Sequence, residues 1–251
     1  MGNKDLDTTS IWIPEPRPNA TQRLVIAHHA GGSSGAYLRF AKSFSAPIEV
    51  ILVELPGRGA RHGQGFITNF AVAVNAITTG LKALPRKPTA YFGHSMGALI
   101  LFEVAKLMAA SGQAPVHLFL SAVRHAPAYG TDLKEPRSDD WLLNRLKQNE
   151  GTPREVLESP EMLAIMVPIF RADYLLIDSY EYPGAANLTS PLTIFGGTDD
   201  PGVNRADLEA WQCESNGPFE VVQFAGGHFY TLTNYDELKL RIQKRLGIAS
   251  L

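Results

Sequence analysis

Five residues, Gly93-His94-Ser95-Met96-Gly97, have the spacing of a nucleophilic serine held in a tight turn. A serine hydroxyl is a poor nucleophile until a positioned base takes its proton. A turn that lifts the oxygen clear of the neighbouring backbone needs small residues on both sides, and Gly93 and Gly97 supply them. The bland alternative is a buried structural serine. Against it stands the setting: an apolar run at 90–92 precedes Ser95, and residues 96–110 follow with Ile100, Val104, Leu107 and Met108 at helical spacing. Strand, turn and helix in that order are what the motif requires.

The base must come from His28, His29, His62, His94, His117, His125 or His228. His94 adjoins the serine, and its side chain is expected to point away from the groove that the hydroxyl faces. His117 opens a predicted strand and reads as a packing residue. His228 lies in Phe224-Ala225-Gly226-Gly227-His228-Phe229-Tyr230, after the last predicted strand and before the last helix. That is the carboxyl edge of the sheet, where α/β sites form, and the chain order Ser…Asp…His selects it. The group that orients the imidazole is Asp199 or Asp200, both following the strand at 192–195. Asp200, before Pro201 and three residues after Gly197, is preferred, with Asp199 in reserve. The oxyanion of an acyl-transfer intermediate needs backbone donors fixed in advance. The amide of Met96 is one, and Ala30, in the loop Ala27-His28-His29-Ala30-Gly31-Gly32, is expected to give the other. His28 and His29 could instead be metal ligands, but neighbours on a strand end point opposite ways and no acidic partner is near. No metal and no cofactor are expected.

These residues need a sheet to position them. Short apolar runs at 24–27, 48–53, 90–92, 116–121, 192–195 and 221–224 read as strands, with helices at 70–84, 96–110 and 235–246, the last stopped by Gly247. The alternation indicates an α/β fold, a mostly parallel sheet with helices on both faces. Residues 130–183 break it with helical signals alone: Ser138 before Asp139-Asp140, and Ser159 before Pro160. Some fifty residues of helix are too many for an ordinary connection, so they are read as a helical lid inserted into one domain spanning 1–251. Its faces, Trp141, Leu142 and Leu146, then Met162, Ile165, Met166 and Ile169, are expected to meet an acyl chain. Lys134, Arg137, Arg145 and Lys147 are solvated lid charges or contacts for an acidic partner.

Composition narrows the field. The 251 residues carry 23 Lys plus Arg against 25 Asp plus Glu, so the basic surplus of a duplex-binding protein is missing and no nucleic-acid partner is expected. No run of 18 apolar residues suggests a membrane span. Residues 1–10 lack the apolar stretch of a signal peptide, and Leu6 stands where a myristoylation motif wants Ser or Thr. With one cysteine, Cys213, the chain has no internal disulfide. A cytoplasmic monomer is expected.

Further segments carry a family resemblance over nearly all of residues 20–248. They are Ala30-Gly31-Gly32-Ser33, Leu55-Pro56-Gly57-Arg58-Gly59-Ala60-Arg61, Gly93-His94-Ser95-Met96-Gly97-Ala98, Arg171-Ala172-Asp173-Tyr174 and Gly226-Gly227-His228-Phe229. The chain resembles the type II thioesterases, stand-alone α/β-hydrolases that accompany polyketide and non-ribosomal peptide synthases. The resemblance implies the α/β-hydrolase fold and hydrolysis of acyl thioesters on the phosphopantetheine arm of an acyl- or peptidyl-carrier protein. The family commonly has Phe-Pro-x before Ala-Gly-Gly, whereas this chain has Ala27-His28-His29. Arg58 and Arg61 are either substrate contacts or loop arginines holding carboxylates such as Glu54 or Asp173. Two readings stay beside the main one: a fatty-acid chain-terminating thioesterase or oxygen-ester hydrolase on the same triad, and a scaffold that only binds a carrier protein.

Overall fold

A computed structural model of the chain describes residues 10–129, 137–148, 151–152, 154–185 and 187–248. The expectations for residues 1–9, and those for 130–136 including Lys134, lie outside them. Seven strands form one sheet in the order β1-β3-β2-β4-β5-β6-β7. They are β1 (Ile11–Trp12), β2 (Gln22–Ala27), β3 (Ile48–Val53), β4 (Thr89–His94), β5 (His117–Ser121), β6 (Leu192–Gly197) and β7 (Phe219–Phe224). β1 runs antiparallel to β3, and every other pair is parallel.

Both faces of the central strands are covered, which is why they read as unbroken apolar runs rather than alternating ones. Val25, Ile51, Tyr91 and Leu118 face α2 (Phe70–Ala83) and α3 (Met96–Ala110). Leu24, Leu52, Phe92 and Phe119 face α1 (Ser34–Ser43) and α8 (Tyr235–Arg245). The helices expected at 70–84, 96–110 and 235–246 are present within a residue. α1 was not anticipated, although Tyr37, Phe40, Ala41 and Phe44 mark its buried stripe.

Two consequences of the strand order matter for chemistry. The chain crosses from β3 over β2 to β4, so the order reverses there and the loops after β2 and β4 open onto a shared crevice. Ala27 pairs with Gly93 at that edge. On the other side Gly197 pairs with Phe224, bringing the ends of β6 and β7 together.

Between β5 and β6 lie α4 (Asp139–Gln148), α5 (Arg154–Leu157) and α6 (Pro160–Asp178), and α7 (Arg205–Glu209) follows β6. The two starts read from sequence hold: the Ser138 hydroxyl accepts the Trp141 amide at 3.2 Å, and the Ser159 hydroxyl accepts that of Met162 at 3.3 Å. Leu142 and Leu146 are buried against Phe170 of α6, with Met166 beside them. The expectation of a continuous inward apolar face on α6 is corrected: Met162 and Ile165, in its first turns, are exposed, and burial begins further along the helix. Among the described residues no helix is long and apolar enough to cross a membrane.

Candidate active site

Ser95 joins β4 to α3 with φ 54° and ψ −119°. Such a backbone costs a residue with a side chain about 1–3 kcal/mol and persists only where its surroundings enforce it. Here its amide donates to the Ser121 carbonyl at 2.7 Å, and its own carbonyl accepts the Ala98 amide at 2.9 Å. The flanking glycines are required by closeness. A Cβ on Gly93 would stand 2.5 Å from the Ala98 nitrogen, and one on Gly97 would stand 2.6 Å from the His28 carbonyl oxygen. Any side chain at either position would force β2, β4 and α3 apart.

His228 follows β7, and its Nδ1 lies 2.7 Å from Asp200 Oδ2. The Asp200 carboxylate is buried, and its other oxygen accepts the Gly202 amide at 2.8 Å. Asp199 is exposed, its carboxylate taking up the Thr198 hydroxyl at 3.0 Å. Of the two neighbours, then, Asp200 faces the histidine. The loops that carry these residues are fastened together: the Thr198 amide donates to the Phe224 carbonyl at 2.8 Å, and the Asp199 amide to that of Gly226 at 2.9 Å.

Ala30 and Met96 face one crevice because β2 and β4 are neighbours. Among the described residues neither amide donates to a protein acceptor, Met96 being the first residue of α3. The loop that carries Ala30 is held from above by α6. Asp173 Oδ2 accepts the Gly31 amide at 2.7 Å and Arg58 Nη1 at 2.6 Å, while Oδ1 accepts Arg58 Nη2 at 2.7 Å. Both side chains are buried, and Arg58 also donates to the Gly32 carbonyl at 3.2 Å. Arg61 donates to the Glu54 carbonyl at 3.0 Å and to the Ser10 hydroxyl at 2.7 Å. Both arginines therefore support loops, and Arg58 takes Asp173 rather than Glu54.

The other histidines have separate tasks. Burial pushes His28 and His29 down to about 3 and His94 well below the usual imidazole range, so all three are neutral near pH 7. His94 points into the α1/α8 side of the sheet, its Nδ1 2.7 Å from the Ser121 hydroxyl. His117 stacks on Phe119 and meets the Thr193 hydroxyl at 2.9 Å. Among the described residues one group of three, His125, Cys213 and Glu214, places ligand-type atoms within 4.8 Å of one another. Glu214 Oε1 there already meets His125 Nε2 at 2.7 Å and the Tyr182 hydroxyl at 2.6 Å, and none of the three lines the cavity over Ser95.

That cavity, of about 250 Å³, is lined by Ser95, His228, His29 and Ala30 from the sheet edge. Tyr129, Arg137, Trp141, Arg145, Tyr174 and Asp178 are among the residues that line it from the segment between β5 and β6, and Val203 and Phe229 add apolar surface from beyond that segment. Sequence reasoning placed Arg137 and Arg145 on the lid without assigning them to the cavity. Trp141 and Arg145, four residues apart, share one face of α4, and Arg137 stands two residues ahead of that helix.

A family model described as a thioesterase domain matches residues 22–246. The gramicidin S biosynthesis protein GrsT of Aneurinibacillus migulanus is 36% identical over 224 residues, covering 87% of each chain. The human S-acyl fatty acid synthase thioesterase, medium chain, is 32% identical over 243 residues, covering 93% of this chain and 91% of its own. Among solved structures, the type II thioesterase BorB from the borrelidin biosynthetic cluster superposes with a TM-score of 0.86 at 32% identity, covering 95% of this chain and 98% of that one. With a parallel sheet, a serine turn after β4 and a match running from β2 into the end of α8, the chain belongs to the thioesterase domain family, on the α/β-hydrolase fold.

Proposed function

We propose that this chain is an editing thioesterase: it hydrolyses acyl thioesters on the phosphopantetheine arm of acyl- or peptidyl-carrier proteins in polyketide and non-ribosomal peptide assembly, removing aberrant or stalled acyl groups. The observation that carries this reading is a single cavity lined by Ser95, His228 and Ala30 in a chain of the thioesterase domain family. GrsT, named for gramicidin S biosynthesis, and BorB, a type II thioesterase from the borrelidin biosynthetic cluster, support the choice of substrate.

In this mechanism Ser95 Oγ attacks the thioester carbonyl carbon while His228 accepts the hydroxyl proton, and Asp200 orients the ring and stabilises its cation. The Ala30 and Met96 amides receive the charge that develops on the carbonyl oxygen. The C–S bond breaks, the thiol leaves with the proton from His228, and the acyl group remains as an ester on Ser95. Water, giving a proton to His228, then releases the acid and restores the serine. Residues 130–183 act as a lid within one domain, and the enzyme works as a cytoplasmic monomer, with the carrier docking outside and only the arm reaching in.

The human relative favours a second reading, release of medium-chain fatty acids. The wall facing Ser95 speaks against it, because arginines and aromatics with polar tips outnumber aliphatic side chains there. One measurement separates the readings: hydrolysis rates on short and medium-chain acyl-pantetheine thioesters and on the matched oxygen esters. A serine-directed phosphonate is expected to add once, at Ser95, and Ser95→Ala to fold normally without turnover. Labelling elsewhere, or activity retained in the alanine variant, overturns the proposal.

A further inference from the structure

The face of α4 that looks toward Ser95 is its charged one. Leu142 and Leu146 are consumed in packing on Phe170. Trp141 and Arg145, one helical turn apart, line the cavity, and Arg137, just ahead of the helix, lines it beside them. A lid built to enclose a plain alkyl chain would present the opposite face.

The arrangement is constructed rather than loose. The Arg137 guanidinium carbon lies 4.4 Å from the centre of the Tyr174 ring and 4.9 Å from that of Trp141. The two rings meet edge to face at 5.1 Å. Asp178 pairs with Arg137, and Arg171 donates to the Arg137 carbonyl at 2.8 Å. Arg145 donates through Nε to the Tyr174 hydroxyl at 3.3 Å, which leaves its terminal nitrogens for another acceptor. Among the described residues no carboxylate pairs with Arg145, and Asp178 is the one carboxylate of the cavity lining, against Arg124, Arg137 and Arg145. A planar guanidinium steadied at one edge, beside a second held between aromatic rings, suits an oxyanion presented in its plane.

We infer that Arg145, with Arg137 behind it, forms a subsite for an anionic oxygen group on the substrate, so that the enzyme selects charged thioesters over neutral ones of equal length. The inference rests on the reading that Ser95 takes the acyl group. Two parts of a substrate carry such a group: a carboxylate ending the acyl chain, and the phosphate of the arm.

Four thioesters separate them: butanoyl and succinyl esters of pantetheine, and the same pair on phosphopantetheine. A preference on the order of tenfold in kcat/KM is expected for the charged member, since one charge-assisted contact is worth about that factor. Arg145→Met should collapse that ratio toward one, Arg145→Lys should restore part of it, and added salt should erode it in the wild type. A succinyl preference on both arms assigns the site to the acyl carboxylate. A preference that follows the phosphate alone assigns it to the arm. Equal rates for all four substrates, or a ratio unmoved by Arg145→Met, overturn the inference while leaving the thioesterase reading intact. Failure to hydrolyse any of the four, together with no phosphonate adduct at Ser95, counts against that reading instead.

Discussion

Replacing Asp173 by Asn removes one negative charge from a site closed to water and leaves the shape nearly unchanged. Asp173 is 0% exposed and Arg58 is 2% exposed, so neither group has solvent to fall back on. The amide keeps one acceptor oxygen and turns the other position into a donor. Three hydrogen bonds end on the carboxylate, two from Arg58 and one from the Gly31 amide, and the amide cannot satisfy them all. Breaking one partner of a buried ion pair costs about 3–5 kcal/mol, a large share of a typical total of about 5–15 kcal/mol. For a chain of this size each kcal/mol moves the unfolding midpoint by about 2–4 °C, which predicts a midpoint lower by roughly 6–20 °C. The chemical consequence is separate. Without its acceptor the Gly31 amide no longer fixes the loop that carries Ala30, and on the oxyanion role proposed for Ala30, loss of that donor should cost about 10²–10³ in kcat. Thermal unfolding followed by circular dichroism, and single-turnover hydrolysis well below the variant's midpoint, measure the two effects independently. A double variant, Arg58→Met with Asp173→Leu, should recover much of the stability because it leaves no unpaired charge, yet it should stay slow because Gly31 still lacks its partner. An unfolding midpoint within about 1 °C of wild type, or recovery of turnover in the double variant, would refute the reasoning.

Asp200→Asn should retain substrate binding and lower turnover by about three to four orders of magnitude through loss of the correct histidine tautomer, whereas Asp199→Asn, at an exposed carboxylate, should cost less than a factor of about three. Steady-state kinetics on both variants decide the matter, and greater damage at Asp199 reverses the assignment. Stability should also fall in mild acid. Burial holds His28 and His29 near 3, His117 near 4 and His94 well down, so the folded chain keeps these rings neutral where the unfolded chain protonates them. The unfolded state then binds more protons below about pH 6.5, so stability is full above that value and is lost toward the folded values at about 1.4 kcal/mol per pH unit for each ring. Urea midpoints that stay flat from pH 7.5 to pH 5 would exclude this.

What could be read from the residues alone was what local pattern determines. Strands covered on both faces give apolar runs, and β3 and α3 match their expected limits because Pro47 and the serine turn punctuate them. The two-residue β1 has no such signature, since it exists through pairing of Ile11 with Val53 across the fold. Asp199 and Asp200 are the same residue type side by side, and only the folded chain tells them apart, through burial, the Gly202 amide and the His228 ring at Asp200. Arg58 could have paired with Glu54, four residues away. Instead Glu54 accepts the Ser34 amide at 3.1 Å together with the Ser34 hydroxyl, and Arg58 reaches Asp173, 115 positions along the chain. Arg137 and Arg145 were visible as lid charges, but the rotation of α4 that aims Arg145 is set by where Leu142 and Leu146 pack.

These long-range contacts divide the covering helices into a fixed part and a freer one. Swinging α6 away from the sheet would withdraw Asp173 from Arg58 and uncover Gly31, over which the Phe170 ring lies. At about 3–5 kcal/mol for the broken pair, that opening would be populated less than the closed state by roughly two to three and a half powers of ten. The α4 segment is held to α6 by Leu142, Leu146 and Phe170, by Trp141, Arg137 and Arg145 on the Tyr174 side chain, and by ion pairs from Arg137 to Asp178, mostly shielded, and from Arg171 to Asp139, more open to solvent. Among the described residues no fully buried ion pair ties α4 down as Asp173 and Arg58 tie α6, so under the proposed function α4 is expected to yield before α6 to an incoming arm. Selection and chemistry then sit on different supports. Arg145 lies on α4 with Arg137 just ahead of it, while the loop carrying Ala30 is tied to α6 through Asp173. If Arg145 and Arg137 hold an anionic group as inferred, a substrate that engages them should also draw α4 over Ser95, and recognition would then be coupled to closure of the cavity.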